Sequence, residues 1–525
     1  MIFSDHDLRQ INQAYIESLD IETAKKLASK LLEDLKEARE RLNQNPNNSS
    51  RPPSSTEPWI IADIEAEEDS DAAGKDSSSG SERSEANEKK SDKKQNTKSR
   101  KPGKQKGAEG KGRTQRLKIT GIVVHFAEQC AICDRELTES DFTARTGHYV
   151  IDIIMGEEDQ PGITLTNVKH LYGDTVCPCG HVMHSVPHRC EKEEDWDVEL
   201  TEWHLVGPML MSLICCLALR MRLSRRLIGE FLHDWLRLRL STGTIDQCIH
   251  EAGRACEPLE EPLLECLRSA YLVYADETSW KEKGILYWMW AFKTADTVLL
   301  TISRRTKETV ERILGEDFTG WLMSDGYKAY RYYLKRLRCW GHLERKAEGI
   351  GESLNEKAQE FGKVVLKVLK ALMEAVYRAR AGPLEEDLRA KHGDLLEELR
   401  LACEQYKDFA KQKVGKIYEK TQALAREFLN DWEAIFRVLE HPELPLTNNE
   451  AERTLRHWVI LRKLCYGTRT KQGSRSIGLL ASVIETCRLR NVLAWPYLAE
   501  VIAKRRKGLD PPPIPEFSTS PILSI

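Results

Sequence analysis

The chain has 525 residues, room for two to four domains with their own cores, and 31% of it is charged. Its 79 basic and 82 acidic residues leave a formal charge of −3, so there is no global basic field for nucleic acid and any such signal must be local. The opening Met1-Ile-Phe-Ser-Asp-His-Asp lacks a basic-then-apolar leader, so the 14 cysteines predict reduced thiols and a metal site rather than a disulfide framework, in a cytoplasmic, nucleoid-associated protein.

Leu8, Ile11, Tyr15, Leu19, Leu27, Leu31, Leu35 and Leu42 recur at helical spacing among alternating charges. The pattern predicts a helical or coiled-coil oligomerisation segment over 1–44. Residues 45–118 predict a disordered charged linker, because an acidic Ser-rich half (Glu65, Glu67, Glu68, Asp69, Asp71) and a basic half from Lys89 to Lys118 offer almost nothing apolar to offset ordering entropy.

Over 119–192, Cys130-x-x-Cys133 and Cys177-x-Cys179 form two thiol pairs of the kind that hold a tetrahedral structural Zn²⁺. The second pair has one intervening residue where two are usual, which leaves His181 as an alternative fourth ligand. Four protein ligands leave no open position, so a catalytic zinc is not expected.

Residues 193–260 predict a helical, helix-turn-helix-like DNA-binding domain. The apolar run Leu205–Leu219 is interrupted by Gly207 and Pro208 and reads as a buried helix rather than a membrane span. Ser241 or Thr242 is placed to cap the second helix, and Arg225, Arg226, Arg237 and Arg239 are candidates for phosphate contact.

Strand signals follow at Tyr271–Ala275, Tyr287–Lys293, Val298–Ser303, Trp321–Ser324 and Leu337–Trp340, with a helix over Thr306–Leu314. Three strands, a helix and a fourth strand open a ribonuclease-H-like (RNase-H-like) α/β core. The prediction is a multidomain α/β protein whose core, 261–342 and 441–504, is interrupted by a charged helical insertion over 343–440. Asp276 is expected at the end of the first strand and Asp325 just after the fourth, so both leave the sheet at one edge. Glu452 follows in the first turn of a helix starting in Thr447-Asn-Asn-Glu-Ala-Glu-Arg453. Two aspartates and a glutamate so placed suit two Mg²⁺ (or Mn²⁺) ions against a phosphodiester, since hard cations prefer carboxylate oxygens. Each has a plainer reading: the aspartates as turn residues, Glu452 as a capping-box partner of Asn449 with Arg456 as its surface ion pair.

From Arg453 to Arg475 there are seven basic residues and no acidic one. Arg453, Arg456, Arg462, Lys463, Arg469, Lys471 and Arg475, in a stretch loosened by Gly467 and Gly473, predict a DNA-facing surface. His342 is a candidate for the scissile phosphate or for a helix cap. Asp510-Pro-Pro-Pro-Ile-Pro515 opens a tail, 505–525, predicted to be disordered.

Several of these motifs resemble those of the insertion sequence 66 (IS66) family of transposases: Asp276-Glu-Thr, Ser324-Asp-Gly-Tyr-Lys-Ala-Tyr330, Cys339-Trp-Gly-His342 and Thr447-Asn-Asn-Glu-Ala-Glu-Arg453. Trp458–Lys463, Gly467–Thr470, Gly473–Arg475 and Ala481–Arg488 extend the resemblance, which spans about 119–502. It implies a DDE catalytic triad of Asp276, Asp325 and Glu452, with Glu450 a neighbour outside it. It also implies binding of an element's terminal inverted repeats, nicking to free 3′-hydroxyls and transfer to target DNA. Homo-oligomers and accessory proteins of the same element are the implied partners. The family often continues its Trp-x-x-His motif with Arg-Arg-Phe, where this chain has Leu343-Glu344-Arg345. The rival expectation is a catalytically silent, zinc-stabilised DNA-binding protein derived from a transposase.

Overall fold

A computed structural model describes residues 21, 24–25, 27–32, 115, 117–157, 159–190, 196–382, 387–409 and 415–517. The predicted oligomerisation segment and linker lie almost wholly outside the described residues. These divide into two compact units, one drawn from 63–186 with 232–239, the other from 187–231 and 240–517 together with the few residues before 63.

The first unit is a four-stranded sheet. β1 (Gly121–His125) runs parallel to β3 (Ile163–Val176), which pairs antiparallel with β2 (Phe142–Met155) on one side and with the short β4 (Val182–His184). Leu137, Cys130 and Cys177 are buried together at one end of it, with Met183 packed against them.

The second unit begins with the two-residue strands β5 (Arg189–Cys190) and β6 (Leu200–Thr201), then α1 (Pro208–Cys215), which continues as a π-helical turn over Cys216–Arg220. Leu210, Met211, Ile214 and Cys215 of α1 are buried, and among the described residues no helix is long and apolar enough to cross a membrane. α2 (Arg225–Leu236), α3 (Thr242–Ala255) and α4 (Glu260–Arg268) follow.

The central sheet is built from β7 (Leu272–Glu282), β8 (Ile285–Lys293), β9 (Val298–Ser303), then α5 (Lys307–Leu314), β10 (Trp321–Ser324) and β11 (Arg336–Arg338). Its spatial order is β11-β10-β7-β8-β9, with β8 antiparallel to both neighbours and β10 and β11 parallel to β7. Lys283 and Gly284, both with positive φ, make the two-residue turn between β7 and β8 that matches the twist of a hairpin. One face buries Val273, Ala275, Trp290 and Phe292 under α4 and α5; the other buries Trp321, Met323, Leu337 and Cys339.

Asp276 is not at the end of β7 but inside it. The strand continues to Glu282 because Asp276–Glu282 pair with β8 in the hairpin, although the ladder to β10 stops at Tyr274. The free edge of β9 is covered by the helix Lys471–Leu489.

α6 (Trp340–Gly351), α7 (Glu356–Ala381), α8 (Leu388–Lys391), α9 (Gly393–Tyr406), α10 (Lys416–Asn430) and α11 (Trp432–Phe436) share a hydrophobic core that includes Trp340, Phe361, Leu372, Phe428 and Phe436. α12 (Asn449–Cys465), α13 (Lys471–Leu489) and α14 (Ala494–Arg506) complete the fold. Along α13 the i, i+4 series Gly478, Ser482, Thr486 lies on β9. The Ser482 hydroxyl accepts from the Leu300 amide, the Thr486 hydroxyl accepts from the Val298 amide and donates to its carbonyl, and a Cβ on Gly478 would stand 2.9 Å from the Leu300 carbonyl oxygen. Side-chain hydroxyls thus satisfy the edge strand that would otherwise invite another chain.

The expected disordered tail is corrected over its first part. Pro512 is buried and its carbonyl accepts from the Tyr497 hydroxyl, the Pro515 carbonyl accepts from Arg490, and Ile514 packs against the core of the sheet. Proline's pre-set φ makes docking an extended segment cheap in entropy.

Candidate active site and metal centre

Asp276 lies on the sheet face that carries Leu272 and Tyr274, by the alternation of a strand. Asp325 follows β10 with the parity of Trp321 and Met323, which lie on that same face. In the ladder Trp321 stands opposite Leu272 and Met323 opposite Tyr274, so two residues further along each chain come Asp325 and Asp276. Gly326 lets the chain leave at once beside Arg338 and Glu427: a Cβ there would meet the Arg338 guanidinium at 2.8 Å and the Glu427 carboxylate at 2.9 Å.

α12 brings the third carboxylate over the same face. The buried Asn448 is its N-cap, yet no side-chain cap bond forms. Asn448 Nδ2 instead donates to the Ala275 carbonyl at 2.8 Å, and its amide donates to Cys339 Sγ at 3.2 Å, tying the helix start to β7 and β11's exit. The capping-box reading of Glu452 is therefore set aside. Its partner is not Arg456 but Arg345, which donates to Oε1 at 3.4 Å, with His342 Nδ1 at 3.6 Å. Glu450 points elsewhere, into an ion pair with Lys293.

Burial pushes the Asp276 carboxyl well above its ordinary value, and the charges of Glu277, Asp325 and Glu452 push it the same way. The carboxylates from the end of β10 and from α12 thus bear on the one in β7. Burial and then Arg345 lower the His342 imidazole, against Glu452 and Asp325, so the ring is neutral at pH 7.

Around them are groups that sequence reasoning did not single out. Glu277, next to Asp276, shares the parity of Val273 and Ala275 and points to the opposite, apolar face. There Arg305 donates to it at 2.9 Å and the Tyr330 hydroxyl at 2.5 Å, while the guanidinium stacks on Trp288 and Tyr327 at 4.3 and 4.0 Å. A charged residue in the otherwise apolar series Val273, Ala275, Glu277 is the signal that would have found it. Arg336 and Arg338 on β11 both donate to Asp431, Arg338 also to Glu427, and Lys346 to Glu427 at 2.8 Å. This buried network joins the helices of the insertion to the strand beside Asp325; no spacing in the sequence foretells it.

The four thiols also converge. Cys130 Sγ lies 3.7 Å from Cys179 Sγ and Cys133 Sγ 3.6 Å from Cys177 Sγ, and all four lie within 4.8 Å of one another; His181 is outside the group. A tetrahedron of Zn–S bonds of ~2.3 Å has edges of about 3.8 Å, so the set fits zinc. The short Cys177-x-Cys179 spacing works because Gly180, at φ +90°, closes a turn in which its amide donates to the Cys177 carbonyl. The amides of Ile132 and Cys133 draw the Cys130 thiol down to about 6, while, against the Cys179 amide, burial and the neighbouring thiols push Cys177 up to about 12, so crowding keeps the four from ionising together without a metal charge among them.

The basic residues separate into two sets. Arg462 is engaged within the fold: it donates to the hydroxyls of Thr278 and Ser279, each at 2.9 Å, because α12 lies against β7. Arg475 likewise pairs with Glu257 and Glu260, at 2.8 and 3.0 Å. Arg225 pairs with Asp246, Arg226 with Glu230, and Arg453 with Glu450. Lys463 is half-buried, whereas Arg237, Arg239, Arg456, Arg469 and Lys471 are exposed. Ser241 caps α3 through the Thr244 amide; the helix exposes its first turn and buries Glu251–Ala255.

Residues 205–476, just over half of the chain, match the family model described as "Transposase IS66 family". Two proteins of Sinorhizobium fredii (strain NBRC 101917 / NGR234) are similar. "Uncharacterized protein y4qI" is 23% identical over 301 residues, 52% of this chain and 54% of that protein. "Uncharacterized protein y4jO" is 30% identical over 93 residues, 18% of this chain and 27% of that protein. The chain thus spans about half the length of one relative and about a quarter of the other.

Proposed function

Because the chain belongs to the IS66 family of transposases, we propose that it cleaves and joins DNA at the ends of a mobile element, with Asp276, Asp325 and Glu452 as its metal-binding triad. The observation that carries this reading is geometric: Asp276 and Asp325 each follow by two residues the Tyr274–Met323 pair of the ladder, and Glu452 stands on a helix whose start is tied by Asn448 to the Ala275 carbonyl. Such a set is stabilised by divalent positive charge, and all-oxygen donors suit Mg²⁺ or Mn²⁺. The strand order, with only the second of five strands reversed, supports the RNase-H-like reading of the core.

Two such ions, held by these carboxylates, supply Lewis-acid and charge stabilisation for in-line displacement at a phosphodiester. The chain's own groups do the rest. Arg345 and His342 flank Glu452 and orient its carboxylate. Neutral His342 can donate an N–H hydrogen bond to a phosphate oxygen. Glu277, anchored by Arg305 and Tyr330, holds β7 in register behind Asp276. The exposed Arg456, Arg469 and Lys471 track the phosphate backbone, with Arg237 and Arg239 as a second set. The four cysteines hold a structural zinc. Terminal repeats and target DNA are the substrates; a homo-oligomer synapses the two ends.

The test is incubation of purified protein with labelled DNA carrying the sequences that flank its gene, with Mg²⁺ or Mn²⁺. Nicking followed by a joined product, both absent in Asp325→Asn, is expected. Specific binding with equal background cleavage in both proteins would overturn the enzymatic reading in favour of a silent DNA-binding protein. Cleavage without joined product would make it a nuclease.

A further inference from the structure

Besides the carboxylates, the site contains a second donor set of different chemistry. A sulfur of Cys339, a ring nitrogen of His342 and a carboxylate oxygen of Glu452 all lie within 4.8 Å of one another. The three come from the exit of β11, the first turn of α6 and the first turn of α12. His342 Nδ1 is buried with no hydrogen-bond partner, and Glu452 Oε1 is 3.6 Å away, close to the edge of a metal's coordination tetrahedron. Cys339 is 1% exposed, yet its sulfur is fixed in place by the Asn448 amide at 3.2 Å. His342 and Glu452 are each 24% exposed in their side chains, which leaves an approach from solvent.

We propose that Cys339, His342 and Glu452 form a second, inhibitory zinc site that occupies the Glu452 carboxylate, which is then not free to share a divalent ion with Asp276 and Asp325. One sulfur, one imidazole and one carboxylate suit a borderline-soft ion and disfavour Mg²⁺, which takes oxygen ligands in near-octahedral geometry. Binding forms a Zn–S bond and releases the Cys339 thiol proton to water. Three protein ligands leave the fourth position for water, unlike the closed four-thiol set. The inhibitory consequence rests on the triad reading of the preceding subsection; the binding itself does not.

The experiment uses the full chain stripped of metal and titrated with Co²⁺. Wild type is expected to take up two thiolate-bound ions, the second with a weaker sulfur-to-cobalt absorption than the first. Cys339→Ser, which keeps an acceptor for the Asn448 amide, is expected to lose the second. A wild type with one thiolate-bound Co²⁺, or a second band that persists in Cys339→Ser, overturns the site. If Cys339→Ser does not fold, X-ray absorption of wild type with two Zn²⁺ decides: one four-sulfur and one single-sulfur site average about 2.5 sulfurs per zinc. An average of four, or a second zinc without sulfur, overturns it. In a parallel arm, Zn²⁺ is titrated against Mg²⁺-dependent DNA cleavage. The Zn²⁺ needed for half-inhibition, relative to each protein's own uninhibited rate, is expected to rise at least about tenfold in Cys339→Ser, the scale on which even outer-shell partners weaken a metal site. Equal inhibition overturns the regulatory role. No Mg²⁺-dependent cleavage in wild type would sink the triad reading instead, and the cobalt titration would still decide the site.

Discussion

Asp276 and Asp325 stand at matching positions of two adjacent parallel chains, each two residues beyond the Tyr274–Met323 pair of the ladder. Parallel pairing with a shared register carries residues of equal parity to one face, so backbone geometry, not a direct bond, brings the carboxylates together. Glu452 reaches them from a helix pinned by Asn448 to the carbonyl of Ala275, the residue before Asp276.

This arrangement sets the ranking of acidic substitutions. Asp276→Asn, Asp325→Asn and Glu452→Gln are each expected to lower metal-dependent DNA cleavage by at least about a hundredfold, the scale of losing one preorganised charge-stabilising group. Glu450→Gln, which frees only Lys293, is expected to stay within a few-fold of wild type. Gel-resolved cleavage rates check both; comparable losses for Glu450 and Glu452 would refute the assignment.

Stability should carry the imprint of Glu277. Burial and then the Asp325 charge push its carboxyl from 4.5 up to about 7, against Arg305 and Tyr330. A raised carboxyl favours the fold in its protonated form, so this contribution is full below 4.5 and is lost as pH rises through about 7. Metal-free wild type is therefore expected to lose more melting temperature across that window than Glu277→Gln. Parallel melting curves for the two proteins would contradict it.

The junction between insertion and sheet rests on Asp431, whose carboxylate is wholly buried between Arg336 and Arg338. Asp431→Ala leaves both guanidiniums buried without that partner and is expected to cost about 3–5 kcal/mol in denaturant unfolding. A loss no larger than that of an exposed pair such as Lys367–Glu398 would show the network to be solvated.

In a Cys339→Ser background, where the four-thiol site alone is counted, one zinc per chain is expected by elemental analysis, absent when Cys177→Ser is added and retained when His181→Ala is added. Zinc loss in the histidine variant would restore it as a ligand.

Exposed and engaged arginines should part company in DNA binding. Arg469→Ala is expected to weaken binding and flatten the plot of log affinity against log salt by about 0.9, the release of one counterion. Arg462→Ala, which removes bonds to Thr278 and Ser279, is expected to lower the melting temperature instead. The reverse pattern, read from salt titrations and thermal melts, would reinstate Arg462 as a phosphate contact.

Local pattern carried much of the architecture. The strand at Val298–Ser303, rich in β-branched residues, and that at Trp321–Ser324, a short apolar run, stand where they were expected, and the helix before β10 starts one residue after the expected Thr306. Cysteine spacing was enough to nominate four thiols, and Asp325 and Glu452 sit beside a strand exit and a helix start that sequence marks, whereas Asp276 was named from an expected strand end that the hairpin with β8 overruns. What pattern alone could not settle was partnership. Whether Glu452 caps its own helix or faces Arg345, whether Arg462 meets DNA or Thr278, and whether the proline tail hangs free or docks on Tyr497 depend on residues tens to hundreds of positions away. Periodicity reports which face of an element is apolar. Only the packing of elements decides which charge each polar side chain meets, because electrostatic interactions act through space and not along the chain.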